Sequence, residues 1–216
     1  MKAIKCALGV KSSTPNIQCL VEIGYPPITQ YIRQKQLVFY STFIHDRQNI
    51  THDPLNFVFN INECRYPSNI KFFKRETCPD YDSLESLRSK LATCDRVKSI
   101  LYCSINTTLS THEIYTRRHT IPEYKRKFFT RMRLSSHDLK IETGRWNIPP
   151  TPRDERLCSC LLGIQDERHI IEECSKSDYM RSNFRHINFT LENILNHLES
   201  FTACNILYEL YTIYSN

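Results

Sequence analysis

The segment from Ile121 to Arg133 reads IPEYKRKFFTRMR, and it indicates the fold class more clearly than any other part of the chain. Proline is favoured in the first turn of a helix. Successive helical residues are rotated by about 100°, which places five apolar residues on one side: Ile121, Tyr124, Phe128, Phe129 and Met132. Cations edge that side, with Lys127 and Arg131 on one flank and Arg126 and Arg133 on the other. We predict an amphipathic helix whose apolar side packs into a core.

Apolar residues recur at the same helical spacing on both sides of this segment. Helices are predicted at residues 15–23, 26–44, 53–63, 84–106, from about 122 to 133, and at 191–198 and 206–213. Gly24 is placed to end the first of them, and Asn188-Phe189-Thr190 to cap the helix at 191. Glycine occurs only four times in 216 residues, which favours helices over a sandwich or barrel. The predicted fold class is mainly α.

A proline-rich stretch interrupts this helical pattern. Residues 143–156 include Gly144 and three prolines and cannot continue a helix. We therefore predict three parts: a helical domain at 1–142, a Pro-rich arm at 143–156, and a small cysteine-containing module with a helical tail at 157–216. His137, in a serine-flanked turn before the arm, is interpreted as a surface or capping residue.

The net charge of +6 is concentrated in one window. Between Arg117 and Arg156 there are eleven Lys or Arg against five Asp or Glu, so this window carries the whole excess. Concentrated positive charge suits a phosphate backbone, because each neutralised phosphate releases counterions. The alternative is a solvated basic face without a partner.

Within this window the predicted nucleic-acid-binding residues are Lys125, Arg126, Lys127, Arg131, Arg133, Arg145 and Trp146. Guanidinium groups can pair with phosphates through two hydrogen bonds, which favours a backbone-contact role for the arginines. Trp146 is the only tryptophan and could stack on an unpaired base. The alternatives are a merely soluble helix flank for the cations and simple packing for Trp146.

Cysteine usage points to metal rather than to disulfides. The first twenty residues contain three lysines and no unbroken apolar run, so neither a secretory signal nor a membrane span is expected there. We expect a nuclear or cytoplasmic protein with no membrane or small-molecule partner. In such reducing compartments, clustered cysteines among the ten present indicate metal binding or burial.

One cluster has the spacing of a zinc site. Cys158 and Cys160 are followed by His169 and Cys174, which gives three thiols and one imidazole within seventeen positions. This donor set suits tetrahedral Zn²⁺, and four protein ligands leave no open position, so the predicted zinc is structural. A single residue separates the first two cysteines, whereas zinc loops typically have two to four there. A chance cluster of buried cysteines is the alternative.

No catalytic motif is found in the sequence. There is no adjacent Asp-Asp pair for two-metal nucleotidyl transfer, no phosphate-binding glycine loop, and neither HExxH nor GxSxG. We therefore expect a protein that is not an enzyme.

Three stretches resemble the region downstream of the polymerase palm in LINE-type, non-LTR retrotransposon reverse transcriptases. They are Ala7–Asn16, Phe129–His137, and Ile141–Trp146 running into the cysteine cluster. Their order is similar to that of the family, although Leu161 stands where many members have glycine. The resemblance implies a parent protein that nicks DNA and copies its own RNA at the nick.

The resemblance also implies a role for this chain. Residues 1–142 would be a helical thumb-side or connector domain, and the Cys3His zinc knuckle would engage RNA or DNA, with no polymerase activity in this portion. The predicted function is thus non-catalytic RNA or DNA binding with a structural Zn²⁺. The alternative from another class is a zinc-containing helical scaffold that binds a partner protein.

Overall fold

The computed structural model of the chain describes residues 1–26, 84–116 and 121–214. It divides into two compact units, one formed by Met1–Tyr25 with Arg88–Asn216 and the other by Pro26–Leu87. The first unit contains every candidate site residue named above. The predicted helices at 26–44 and 53–63 lie, apart from Pro26, outside the described residues.

The described part of the chain is mainly helical, as predicted. Its α-helices are α1 Lys2–Leu8, α2 Asn16–Ile23, α3 Leu84–Ala92, α4 Val97–Ile105, α5 Glu123–Arg133, α6 Lys140–Thr143, α7 Asp178–Asn183 and α8 Ser200–Tyr214. Turns of 3-10 helix lie at Glu113–Tyr115, Arg153–Glu155 and Ser175–Ser177, and π-helical turns at His169–Glu173 and Asn193–His197. Among these residues, β-structure is limited to one isolated bridge between Leu157 and Ile164. No described helix is long and apolar enough to cross a membrane.

The sequence signals for helix ends are mostly confirmed. Gly24 ends α2 with a left-handed φ of 67°, a conformation that glycine adopts without steric cost. Thr190 accepts a hydrogen bond from the Asn193 amide at 3.3 Å, as expected of a cap. The single helix predicted at 84–106 is wrong: α3 and α4 are separate helices. The Thr93 hydroxyl donates to the Ser89 carbonyl where α3 ends, and Arg96 is extended before α4 begins.

The packing of α5 against α8 forms the centre of the core. Phe129 and Met132 of α5 are fully buried, and the Phe128 ring lies 4.5 Å from that of Tyr211 on α8. Tyr124 is half exposed, but its ring contacts Tyr208 edge-on at 5.0 Å between centroids. The apolar side predicted for α5 is therefore the side that packs into the core.

One core extends across the proline-rich arm, so the boundary predicted at 143–156 does not separate two domains. Buried residues before the arm and after it belong to one cluster, including Ile105, Ile114, Phe129, Ile141, Ile170, Ile171, Ile194 and Leu207. The arm folds back on itself: the Thr151 amide donates to the Gly144 carbonyl at 2.9 Å, and Arg156 donates to the carbonyls of Thr151 and Ile141. The arm is part of the same compact unit.

A buried ion pair joins α2 to α5. The Glu22 carboxylate lies against the Arg133 guanidinium, and both side chains are fully removed from solvent. Tyr102 donates to Glu22 Oε2 at 2.8 Å and Tyr115 donates to Glu22 Oε1 at 2.9 Å. Arg133 Nη1 also donates to the Leu195 carbonyl. Five separate segments therefore meet at one carboxylate and one guanidinium.

These hydrogen bonds offset a large desolvation cost. Burial raises the pKa of both tyrosines, and the Glu22 charge adds to that rise, so Tyr102 and Tyr115 remain neutral donors. Burial opposes the charge on Arg133, but Glu22 more than compensates and the pKa of the guanidinium is raised. A buried pair in this setting stabilises the fold only while both partners are present.

We predict that removing one partner destabilises the protein more than removing both. Glu22→Gln leaves the Arg133 charge buried without a counter-ion and should lower the free energy of unfolding by about 3 to 5 kcal/mol. Adding Arg133→Met to that variant should recover part of the loss. Urea unfolding measures both. The matched control is Glu123→Gln, which breaks the exposed pair with Lys127 and should change the free energy of unfolding far less than Glu22→Gln does. Strictly additive losses in the double variant would contradict this interpretation.

Candidate metal centre

A tight turn presents the first two cysteines. The bridge between Leu157 and Ile164 closes it, and the Cys158 amide donates to the Gly163 carbonyl at 2.8 Å. The Leu161 amide donates to the Cys158 carbonyl at 2.9 Å, and the Leu162 amide points to Cys160 Sγ at 3.4 Å. Two thiols therefore project from one end of a loop whose backbone bonds are satisfied internally.

A π-helical turn presents the other two ligands. The Cys174 amide donates to the His169 carbonyl at 2.8 Å, so residues five apart are one turn apart. On an ordinary α-helix these two residues would be about a turn and a half apart, whereas the wider π turn brings them one turn apart. The Asp166 carboxylate accepts from the His169 amide at 2.9 Å and fixes the start of the turn.

The four ligand atoms have the spacing of a tetrahedral site. All lie within 4.8 Å of one another. Cys158 Sγ is 3.7 Å from Cys174 Sγ, and Cys160 Sγ is 3.2 Å from His169 Nε2. Zinc–sulfur bonds of about 2.3 Å at tetrahedral angles would place two sulfurs about 3.8 Å apart. Three thiols and one imidazole at these distances fit a zinc ion with four protein ligands.

The environment favours the thiolate of Cys160 over that of Cys158. Burial opposes ionisation of Cys160, but hydrogen bonds from the Leu162 amide and from His169 lower its pKa to about 6. Burial raises the pKa of Cys158 to about 11. Because a metal binds the thiolate form, Cys160 is ready to bind at neutral pH, while Cys158 must release a proton on binding.

The short Cys-x-Cys spacing is accommodated by an unusual backbone conformation. Leu161 has a φ of 63°, in the left-handed region that glycine favours, and its side chain is 77% exposed. Many members of the family that this sequence resembles have glycine at this position. The leucine therefore adopts the turn that glycine would adopt, at some cost in backbone strain.

Several residues that support the ligands were missed in the sequence analysis. His169 Nδ1 lies 3.4 Å from the Glu173 carboxylate. The carboxylate can accept a hydrogen bond from Nδ1–H, which favours the tautomer whose Nε2 binds metal. Gly163 packs under the imidazole, and a Cβ there would lie 2.8 Å from His169 Nδ1. Arg181 donates to the Cys174 carbonyl. The four-residue spacing from His169 to Glu173 was the one signal available in the sequence.

The predicted nucleic-acid-binding residues occupy different environments. The assignment of Arg133 is wrong, because its buried pairing with Glu22 leaves it unable to reach a phosphate. The other α5 cations, Lys125, Arg126, Lys127 and Arg131, are partly exposed on the flanks of the helix. Arg145 lies 3.1 Å from Glu142, and Trp146 is 59% exposed rather than packed into the core.

His137 is not a surface residue, contrary to the sequence interpretation. It is buried, its Nε2 lies 2.7 Å from the Glu167 carboxylate, and its Nδ1 accepts from the Leu139 amide at 3.3 Å. This bond stays within the turn, and no side chain caps the start of α6. Burial opposes the charge of Glu167, but His137 and Ser135 together lower the pKa of that carboxyl to about 2.

Comparison with known proteins finds no matching family model, no similar characterised protein and no similar solved structure. The resemblance to retroelement reverse transcriptases therefore rests on the three sequence stretches alone.

We predict one zinc per chain, bound through this cluster. Cys174→Ser removes one thiolate and should abolish stoichiometric zinc, measured by mass spectrometry of the purified protein. The matched control is Cys6→Ser, because Cys6 is an exposed cysteine outside the cluster and its replacement should leave the zinc in place. Equal zinc contents in the two variants would overturn the assignment.

Proposed function

We propose that this chain is a non-catalytic, zinc-stabilised module that binds RNA or DNA largely through the phosphate backbone. By resemblance, it corresponds to the carboxy-terminal region of a non-LTR retrotransposon reverse transcriptase. One observation carries the proposal: the Cys3His cluster and the cationic flanks of α5 belong to one compact unit with a common core.

The charges on α5 support backbone binding because two of them, on Lys125 and Arg131, have no anionic partner among the residues that the structure describes. Lys125 donates to the amide oxygen of Asn205 at 2.6 Å, and Arg131 donates to the Gly9 carbonyl at 2.6 Å. Both acceptors are uncharged, so each cation keeps its full charge. Lys127 pairs with Glu123, but this pair is exposed, and exposed ion pairs contribute little to the stability of a protein. The helix therefore offers fixed positive charge to a phosphate chain.

The cluster supports a structural role for zinc in this module. Four protein ligands leave no position for water, and catalytic zinc sites usually keep one. The loop from Leu157 to Ile164 has little core of its own, since Leu157, Leu161 and Leu162 are exposed. Zinc binding is then the main source of order for that loop, and structural zinc contributes roughly 10 to 16 kcal/mol in comparable peptides.

A protein-binding scaffold is the second candidate, and one observation favours it. Leu161 and Leu162 at the tip of the zinc loop are 77% and 75% exposed, and Ile148 in the arm is 99% exposed. Exposed apolar groups of this kind can mark a protein interface. Binding partners that survive nuclease treatment would favour the scaffold, whereas nuclease-sensitive partners favour nucleic-acid binding.

We predict that the affinity for a single-stranded oligonucleotide falls steeply with salt. In the double variant Lys125→Gln and Arg131→Gln, the plot of log affinity against log salt should flatten by about 0.7 for each phosphate that the protein no longer neutralises. The matched control is Lys2→Gln, an exposed lysine on α1 that should leave the slope unchanged. Fluorescence anisotropy at several salt concentrations gives the slopes. An affinity that does not change with salt would contradict the proposed function.

A further inference from the structure

A cleft of about 380 Å³ lies beside the metal centre within the larger unit. Its walls come from α4, from α6 with the start of the arm, and from the residues that lead into the π-helical turn at His169. Small-ligand sites typically enclose about 300 to 1,000 Å³. The cleft is therefore large enough for one small planar ring system with its substituents.

One wall of the cleft is apolar and open to solvent. Val97 and Ile100 on α4 line it and are 60% and 56% exposed, although Tyr102 and Ile105 on the same helix are buried in the core. Leu101 and Ile141 complete the apolar surface. Apolar side chains grouped at the mouth of a cleft favour a ligand that presents a flat apolar face.

The cleft is also lined by cations, which form its cationic rim. Lys98 and Arg145 both pair with the single carboxylate of Glu142, so one positive charge at that point is in excess. Arg153 also lines the cleft, is exposed, and forms no ion pair within the described part of the chain.

The other charged residues of the lining form ion pairs or hydrogen bonds within the protein. Glu167 pairs with His137, and Asp166 accepts from the His169 amide but keeps its negative charge. Arg168 is held by Glu172 and Glu192. Arg145 and Arg153 are consequently the two cations best placed to receive an anion from the ligand.

We propose that this cleft receives one unpaired base of a single-stranded nucleic acid, with the adjoining phosphates on Arg145 and Arg153. This proposal rests on the proposed function and assigns a base-binding site to it. A base has two apolar faces and is joined to anionic phosphates, which matches an apolar wall beside a cationic rim. A base inside a duplex is stacked and cannot enter such a cleft, so the site selects single strands. Trp146 follows Arg145 in the sequence and is exposed, so its ring would be available to stack on a neighbouring base.

The test uses the full zinc-loaded chain and a short single-stranded oligonucleotide with one fluorescent adenine analogue, together with its duplex form. Ile100→Glu places a negative charge on the apolar wall that the base would contact and should weaken single-strand binding about tenfold, which corresponds to about 1.4 kcal/mol. Duplex binding should be unchanged. The matched control is Phe201→Glu, which adds the same charge at a half-exposed apolar residue of α8 outside the cleft. Arg153→Gln, at an exposed residue, should weaken single-strand binding without altering the fold.

The outcomes separate this inference from the proposed function. Wild-type binding that is salt-dependent but equally strong in Ile100→Glu would overturn the cleft as a base site and leave the proposed function standing. Equal weakening of single strands and duplex would also overturn it, because the cleft would then not select unpaired bases. No oligonucleotide binding by the wild type would overturn both. Loss of a nuclease-resistant protein partner in Ile100→Glu, with oligonucleotide binding intact, would assign the cleft to a protein instead.

Discussion

The larger unit depends on the buried contact between Glu22 and Arg133. These residues are 111 positions apart, yet both are fully removed from solvent, and Tyr102, Tyr115 and the Leu195 carbonyl complete their hydrogen bonds. A buried carboxylate or guanidinium left alone would be costly, so each of these segments must be in place before the others are stable. The contact thereby fixes the direction of α5 and with it the position of the basic flanks.

The candidate metal centre is continuous with this core. Ile170 and Ile171 lie between His169 and Cys174 in sequence, and both are buried in the cluster that also holds Phe129 of α5. The Glu172 carboxylate accepts from the Leu191 amide at 2.8 Å, which links the π-helical turn to the residues before α8. Zinc would therefore order the loop from Leu157 to Ile164, whereas the turn that carries His169 is already held in place by packing. The candidate metal site and α5 are therefore connected through one core.

The sequence predicted what depends on local pattern and missed what depends on distant partners. The apolar face of α5 and the glycine stop of α2 follow from spacing and backbone preference, and the four clustered ligands follow from donor chemistry. The burial of Arg133 could not be predicted, because nothing near it in sequence identifies Glu22 as its partner. The domain boundary at 143–156 was wrong for a related reason: proline ends a helix, but it does not show whether the flanking segments share a core. The π turn at His169, in which Ile170 and Ile171 are buried, is likewise not revealed by helical periodicity.

We propose that the zinc loop, the cationic flanks of α5 and the cleft bind the same nucleic-acid strand. The most direct measurement is the affinity for a single-stranded oligonucleotide before and after the zinc is removed with a chelator, at one salt concentration, with circular dichroism to monitor the helices. We expect the affinity to fall at least severalfold while most of the helical signal remains, and added zinc to restore binding. Unchanged affinity in the zinc-free protein would show that the metal centre takes no part in nucleic-acid binding, contrary to our proposal.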